Sequence, residues 1–353
     1  MNLIRTLSVL ILGSARSAGV QPARVIHTLR MLILCAVTLT AAAADKKLVL
    51  IAGKPSHGPG DHEFRAGCLL LKKCLDQVPG LTSAVYSNGW PHEANAFVDA
   101  DAILIFSDGG GGHPAIQGDH AKILGELTKK GISLGLAHYA VEVPKEKGGA
   151  EFLDWIGGYY EHLFSCNPMW SPDFQKFPDH PITRGVQPFS IRDEWYMNMR
   201  FRPEMKGITP ILLAKPSDQV RKGPYVYPQG PYEHIVAASG RDEAMMWAVE
   251  RADGGRGFGF TGGHFHKNWG NENFRKVMLN ALLWLAKVEV PAQGVPSSVT
   301  TEDLQQNLDP KGQKPRASAA GPQPRLEAAR AQLKATTSIP PSPLPSSRPG
   351  GRG

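Results

Sequence analysis

Six histidines stand where this chain could use them for chemistry. In "GISLGLAHYAVEV" (131–143) an apolar run stops at Ala137 and His138 follows. An imidazole just past a strand end can act as a base, a metal ligand or a hydrogen-bond donor to a sugar hydroxyl. "TGGHFH" carries His264 and His266. Alternate residues of an extended segment point the same way, so His-x-His can offer two imidazoles to one metal, and it can equally be an ordinary polar turn before a helix. With His138 these two form a candidate ligand set for one divalent ion, zinc being the first choice. His264 ranks above His266.

Other residues widen the candidate site. "SHGPGDHEF" places His57 and His62 in a loop beside a helix start, where free N–H groups favour an anion or a sugar oxygen. His62 can equally be the first residue of that helix, so His57 is the preferred substrate contact. Glu142 can hold a histidine in one tautomer, serve as an acid, or sit solvated on a helix. "RDEWY" sets Asp193 and Glu194 beside Trp195 and Tyr196, the mixture of carboxylates and flat rings that sugar sites use, with core packing of Trp195 as the competing reading. "DGGGGH" (108–113) ends in His113, another candidate substrate contact. The glycine run invites a phosphate-loop reading but lacks the Lys-Ser/Thr that such a loop needs, and reads better as a surface turn.

These residues need a scaffold, and the hydrophobic pattern supplies one. "KKLVLIAG" (46–53), "TSAVYS" (82–87), "DAILIFS" (101–107) and "ISLGLA" (132–137) read as strands. Helices are expected over 62–77, with Asp61 as a cap, and over 119–131. Strand and helix alternating in this way predict an α/β fold with a mostly parallel sheet, whose loops gather along its carboxyl edge. From 157 to 243 the pattern loosens. Two strands with a turn at "DGG" and a strongly apolar helix over 271–287 close the domain. His138 and His264 both follow strands that should run the same way. They are therefore expected in one cleft, with His57 at its rim and Glu142 near enough to orient a ring.

Charge removes one class of partner. The chain of 353 residues has a formal charge of +7, but residues 311–353 hold a net +7 and residues 1–44 hold four arginines and no acid. Taking both ends away leaves 45–310 at −4, so the fold carries no basic excess and nucleic acid is not expected as a partner. Residues 1–44 read as an export leader: arginines, then "MLILCAVTLTAAAA", too short to span a bilayer, then a plausible cleavage point near Ala44. A periplasmic or secreted protein without a stable membrane anchor is expected, with Met1 and Met31 both open as the start. Cys68, Cys74 and Cys166 read as small apolar core residues, not as a disulfide set or zinc ligands. After 290, Pro, Ser, Ala and Gln dominate, so 45–290 is expected to be the domain and 291–353 a disordered, dispensable tail.

Four pieces together resemble the ThuA-like (trehalose utilisation) branch of the class I glutamine amidotransferase-like superfamily: the first strand with "SHGPGDHEF", "GLAHYAVE", "HPITRG…RDEWY", and "GFTGGHFHKNWGNENFRKVMLNALLWLAK". The resemblance covers roughly residues 46–290. It implies a flavodoxin-like three-layer fold and an association with sugar metabolism. Glutaminase chemistry is excluded, because positions 136–140 offer Leu, Ala, His, Tyr and Ala where a thiolate would be needed. Two functions follow as expectations. One is an exported sugar-processing enzyme working through histidines and one divalent metal, by hydrolysis, lyase or isomerase chemistry. The other is a non-catalytic carbohydrate-binding module on the same fold.

Overall fold

The computed structural model describes residues 45–312. The expected leader and the tail beyond residue 312 lie outside the described residues. Strands β1 (Lys46–Ala52), β2 (Leu81–Tyr86), β3 (Ala102–Phe106), β4 (Ser133–Ala137), β5 (Ile208–Ala214), β6 (Glu243–Glu250) and β7 (Arg256–Phe260) form one sheet. Their order is β5-β6-β7-β4-β3-β1-β2. From β7 to β2 every pairing is parallel, while β6 and β5 add an antiparallel edge.

Both faces of the sheet are covered, which explains why its central strands are apolar throughout and do not alternate. In β1, Leu48, Leu50 and Ala52 pack on one side with helices α1 (Phe64–Leu75) and α4 (Glu272–Leu285). Val49 and Ile51 pack on the other with α2 (His120–Lys129) and α3 (Ala150–Trp155). Eleven of the fourteen residues of α4 are buried, and Asn271 caps its first turn by accepting from Phe274 N at 3.0 Å. The three cysteines within 45–312 are buried and unpaired, and among the described residues no helix is long and apolar enough to cross a membrane.

Two features depart from the sequence expectation. Between α3 and β5 the chain makes an excursion in two-residue strand pairs, including Met169–Trp170 with Asp193–Glu194. Paired strands this short carry no readable periodicity. The segment after 290 also packs on the body, where a disordered tail was expected: Val295 is buried, and a capping box at Thr300 starts a one-turn helix, Thr301–Leu304. Composition misled here because a few anchor residues among many prolines and serines suffice to dock the segment. Among the described residues the packed body continues through residue 312.

Candidate functional site

Loops after four parallel strands meet at the carboxyl edge. The β1 loop brings His57 and His62, the β3 loop Asp108, the turn after β4 His138, and the loop after β7 His264. His57, His62 and His138 hold left-handed backbone, with φ of 60°, 48° and 54°. Such conformations disfavour residues with a Cβ and cluster where surroundings over-determine the chain. Gly109 lets the β3 loop lie against the β4 turn, since a Cβ there would meet Tyr139 O at 2.1 Å.

Three rings and one carboxylate converge. His62 Nε2 lies 3.0 Å from both His138 Nε2 and His264 Nδ1. Glu194 Oε2 lies 2.6 Å from His264 Nδ1 and 3.8 Å from His138 Nε2. All four ligand atoms fall within 4.8 Å of one another, and all four residues are buried. Ligands about 2.1 Å from a tetrahedral zinc stand about 3.4 Å apart, so this spacing fits such an ion.

The outer nitrogens fix the rings. His138 Nδ1 donates to Thr261 O at 2.9 Å, and His62 Nδ1 donates to Asp108 Oδ1 at 2.8 Å. Because both partners only accept, each ring carries its proton on Nδ1 when neutral and turns the Nε2 lone pair inward. His264 Nε2 faces Asp61 Oδ2 at 3.8 Å. Burial, with the neighbouring histidines, pushes the pKa of His62 and His138 well down, so both are neutral at pH 7. Burial also lowers the pKa of His264, but Asp61 and Glu194 outweigh it and hold the ring near 9.

A cleft of about 800 Å³ opens over this cluster. Glu194, Tyr196, Tyr139, Glu142 and Asn167 line it, with His57 and His62 at one side. The Tyr196 ring lies 5.2 Å from that of His138. Asn167 Nδ2 donates to Glu194 Oε1 at 2.7 Å, steadying the carboxylate. Burial pushes the Glu142 carboxyl up to about 8, and Glu194 across the cleft adds to this.

The structure thus brings Glu194, Tyr196, Glu142 and His57 to one cleft, and buries His138 and His264, rings 5.4 Å apart, against His62 and Glu194 of its lining. Other expectations need correction. His266 lies outside the cluster: it begins a 3₁₀ turn, His266–Gly270, which ends the extended alternation, and its ring is buried toward Glu63 and Lys311. His62, ranked below His57, stands at the centre, because helix α1 starts only at Phe64. The His57 ring lies tilted against that of His62, with centroids 3.6 Å apart.

His113 contacts no cleft. Its Nε2 donates to Ala140 O at 2.8 Å and its Nδ1 accepts from Ala115 N at 2.9 Å, which makes it a buried turn cap. Trp195 is core, packed on Phe174, Phe260 and Phe274 with Nε1 donating to Ile191 O. Asp193 is fully buried and accepts from Glu194 N, Gly263 N, His264 N and Asn268 Nδ2, so it positions backbone and does not meet substrate. Ring orientation, assigned by the sequence reading to Glu142, comes from Asp108, Thr261 and Asp61. A carboxylate straight after β3, beside two histidine-bearing loops, was the signal for Asp108.

A parallel sheet whose carboxyl-edge loops build a buried polar cluster, with histidine at the β4 turn, defines a doubly wound α/β protein of amidotransferase-like build without the amidotransferase thiol. The ThuA family, described as trehalose utilisation, matches residues 95–285, and the chain belongs to that family. Among solved structures it is similar to a ThuA-like protein from Bacteroides uniformis ATCC 8492, with 14% identity over 70% of this chain and 93% of that one and a TM-score of 0.48. A second, from Parabacteroides merdae ATCC 43184, has 15% identity over 73% and 94%, with a TM-score of 0.48. No protein of curated description matches.

Proposed function

We propose that this protein is a metal-dependent enzyme acting on a small neutral carbohydrate, with His62, His138, His264 and Glu194 as metal ligands. One observation carries the reading. Since Asp108 and Thr261 take the Nδ1 protons, the Nε2 lone pairs of His62 and His138 face each other at 3.0 Å in a buried site. Two neutral acceptors in such contact repel, and a cation between them turns that repulsion into coordination. Hydrogen bonds on the outer nitrogens are what metal-bound imidazoles require. Three nitrogens and one carboxylate suit zinc, whose binding would displace the proton that Asp61 and Glu194 otherwise hold on His264.

A bound divalent ion would supply Lewis-acid polarisation of a substrate carbonyl or hydroxyl oxygen. The remaining chemistry belongs to the chain. Glu142, held protonated at neutral pH by burial, can give a proton to a leaving or enolic oxygen and take it back. Tyr139 and Tyr196 offer hydroxyls and ring faces to a sugar, and the cleft is of the size that small-molecule sites have. Glu146 offsets Lys145 and Arg200 pairs with Glu161, so the cleft wall offers no basic excess to draw an anionic substrate. The family description, trehalose utilisation, supports a disaccharide or its keto form. Cys68, Cys74 and Cys166 cannot serve as a glutaminase nucleophile, because burial raises all three thiols. The basic and apolar leader supports action outside the cytoplasm.

The test combines elemental analysis of the purified protein with turnover of trehalose and keto-disaccharides, with and without chelator. One equivalent of zinc and chelator-sensitive product formation are expected. Heat on titration with sugar but no product would favour the binding-module reading. Absence of metal at any loading would sink the metal assignment.

A further inference from the structure

We propose that Lys311 is a positioning residue for this centre, clamping from the C-terminal segment the loop that carries His62. The proposal rests on the metal reading above. Residues 300–312 run past the start of α1. There Asp309 N donates to Glu63 Oε2 at 2.9 Å, and Lys311 Nζ lies 3.2 Å from Glu63 Oε1. Lys311 Nζ also donates to His62 O at 3.1 Å and to Asp61 O. The side chains of Lys311 and Glu63 are only 5% and 1% exposed.

Buried lysine is uncommon unless its charge is paired. Here it is satisfied by a carboxylate and by the carbonyls of two residues that matter to the centre. His62 is a proposed ligand, and Asp61 faces the outer nitrogen of His264. The loop is thus gripped from both sides. On the sheet side His62 N donates to His264 O and His266 N to Gly60 O, both at 2.9 Å. On the other side Glu63 accepts from Gly60 N at 3.0 Å and from Lys311. Loss of Lys311 would leave buried acceptors unpaired at His62, whose left-handed backbone, φ 48°, relaxes readily once released. One ligand and the orienting partner of another would move together. Linkage is reciprocal, so a bound ion should in turn hold the segment down.

The experiment uses the full chain with Lys311→Met, which keeps the apolar stem, and Lys311→Arg, which restores charge and donors. Zinc affinity is read by competition with a chromophoric chelator, and hydrogen exchange by mass spectrometry over 57–63 and 306–312. Lys311→Met should bind zinc 10- to 100-fold more weakly, the loss typical of outer-shell partners, and exchange faster over 57–63, with Arg recovering most of the affinity. In the unmodified protein, zinc should slow exchange over 306–312, a readout that needs no variant to fold. Wild-type affinity in a folded Lys311→Met, or no zinc protection of 306–312, would overturn the clamp alone. Failure of the unmodified protein to bind zinc would instead overturn the metal reading.

Discussion

A histidine that binds a metal and one that caps a turn differ in how their two nitrogens are used. His113 has both committed, one to Ala140 O and one to Ala115 N. His62 and His138 have one committed and one aimed at the cluster. His113→Ala should therefore cost about 1 to 3 kcal/mol of stability through the buried partners it abandons, and leave zinc stoichiometry unchanged. His138→Ala should abolish zinc binding. In metal-free protein it should cost less than His113→Ala, because the loss of the Thr261 O partner is partly offset by relief of a contact between two lone pairs. Calorimetric melting and metal analysis of both variants decide between the two roles. Glu142 separates binding from chemistry in the same way. It is outside the ligand set, and Glu142→Gln keeps its shape, so zinc and sugar should still bind. Turnover should fall by roughly 10² to 10⁴, the usual contribution of a placed acid or base. A variant that loses affinity for sugar with kcat intact would remove Glu142 from the acid role.

Between elements, the centre depends on a residue that never touches it. Asp193 lies on the excursion between α3 and β5, yet its carboxylate takes N–H groups from the loop after β7, at Gly263 and His264, as well as from Glu194. It locks two ligands to each other through their backbones. Asp193→Ala should strand at least three buried donors and destabilise the fold by about 3 kcal/mol. It should also weaken zinc 10- to 100-fold, measured at a temperature where the variant is folded. Unchanged zinc affinity would mean that Glu194 and His264 hold their places without it. This junction also marks where the sequence stopped being readable. Continuous apolar strands followed by histidine-bearing loops announced the sheet, its direction and the meeting of His138 with His264. Glu194 could be seen only as one carboxylate in "RDEWY", because a two-residue pairing with Met169–Trp170 brings it to the cluster. His62 was legible as a histidine but not as a ligand. Its role depends on a left-handed backbone, and the pattern beside α1 suggested a helix start. Asp61, a plausible helix cap by sequence, faces His264.

At the scale of the molecule, the question is where folding ends. Composition alone predicts that a chain ending at Pro310 melts like the full chain, since almost no large apolar residue follows. The buried charges argue otherwise. Glu63 is 1% exposed at the start of α1, and its partner Lys311 lies one residue beyond that cut. Removing one member of a buried pair leaves the other charge desolvated and typically costs 3 to 5 kcal/mol, whereas an exposed pair contributes about 1 kcal/mol or less. Lys73–Asp303, with its lysine 53% exposed, belongs to the second kind, so the one-turn helix cannot carry the segment alone. A chain ending at Pro310 should therefore melt lower than one ending at Gly312, which keeps Lys311. A difference of about 3 kcal/mol corresponds to roughly 6 to 12 °C in a body of this size. Glu63→Gln should reduce that difference, because a neutral partner no longer leaves a buried charge when Lys311 is lost. Equal melting of the two shortened chains would show that Glu63 finds water or another donor without Lys311, and that the body is complete by Pro310.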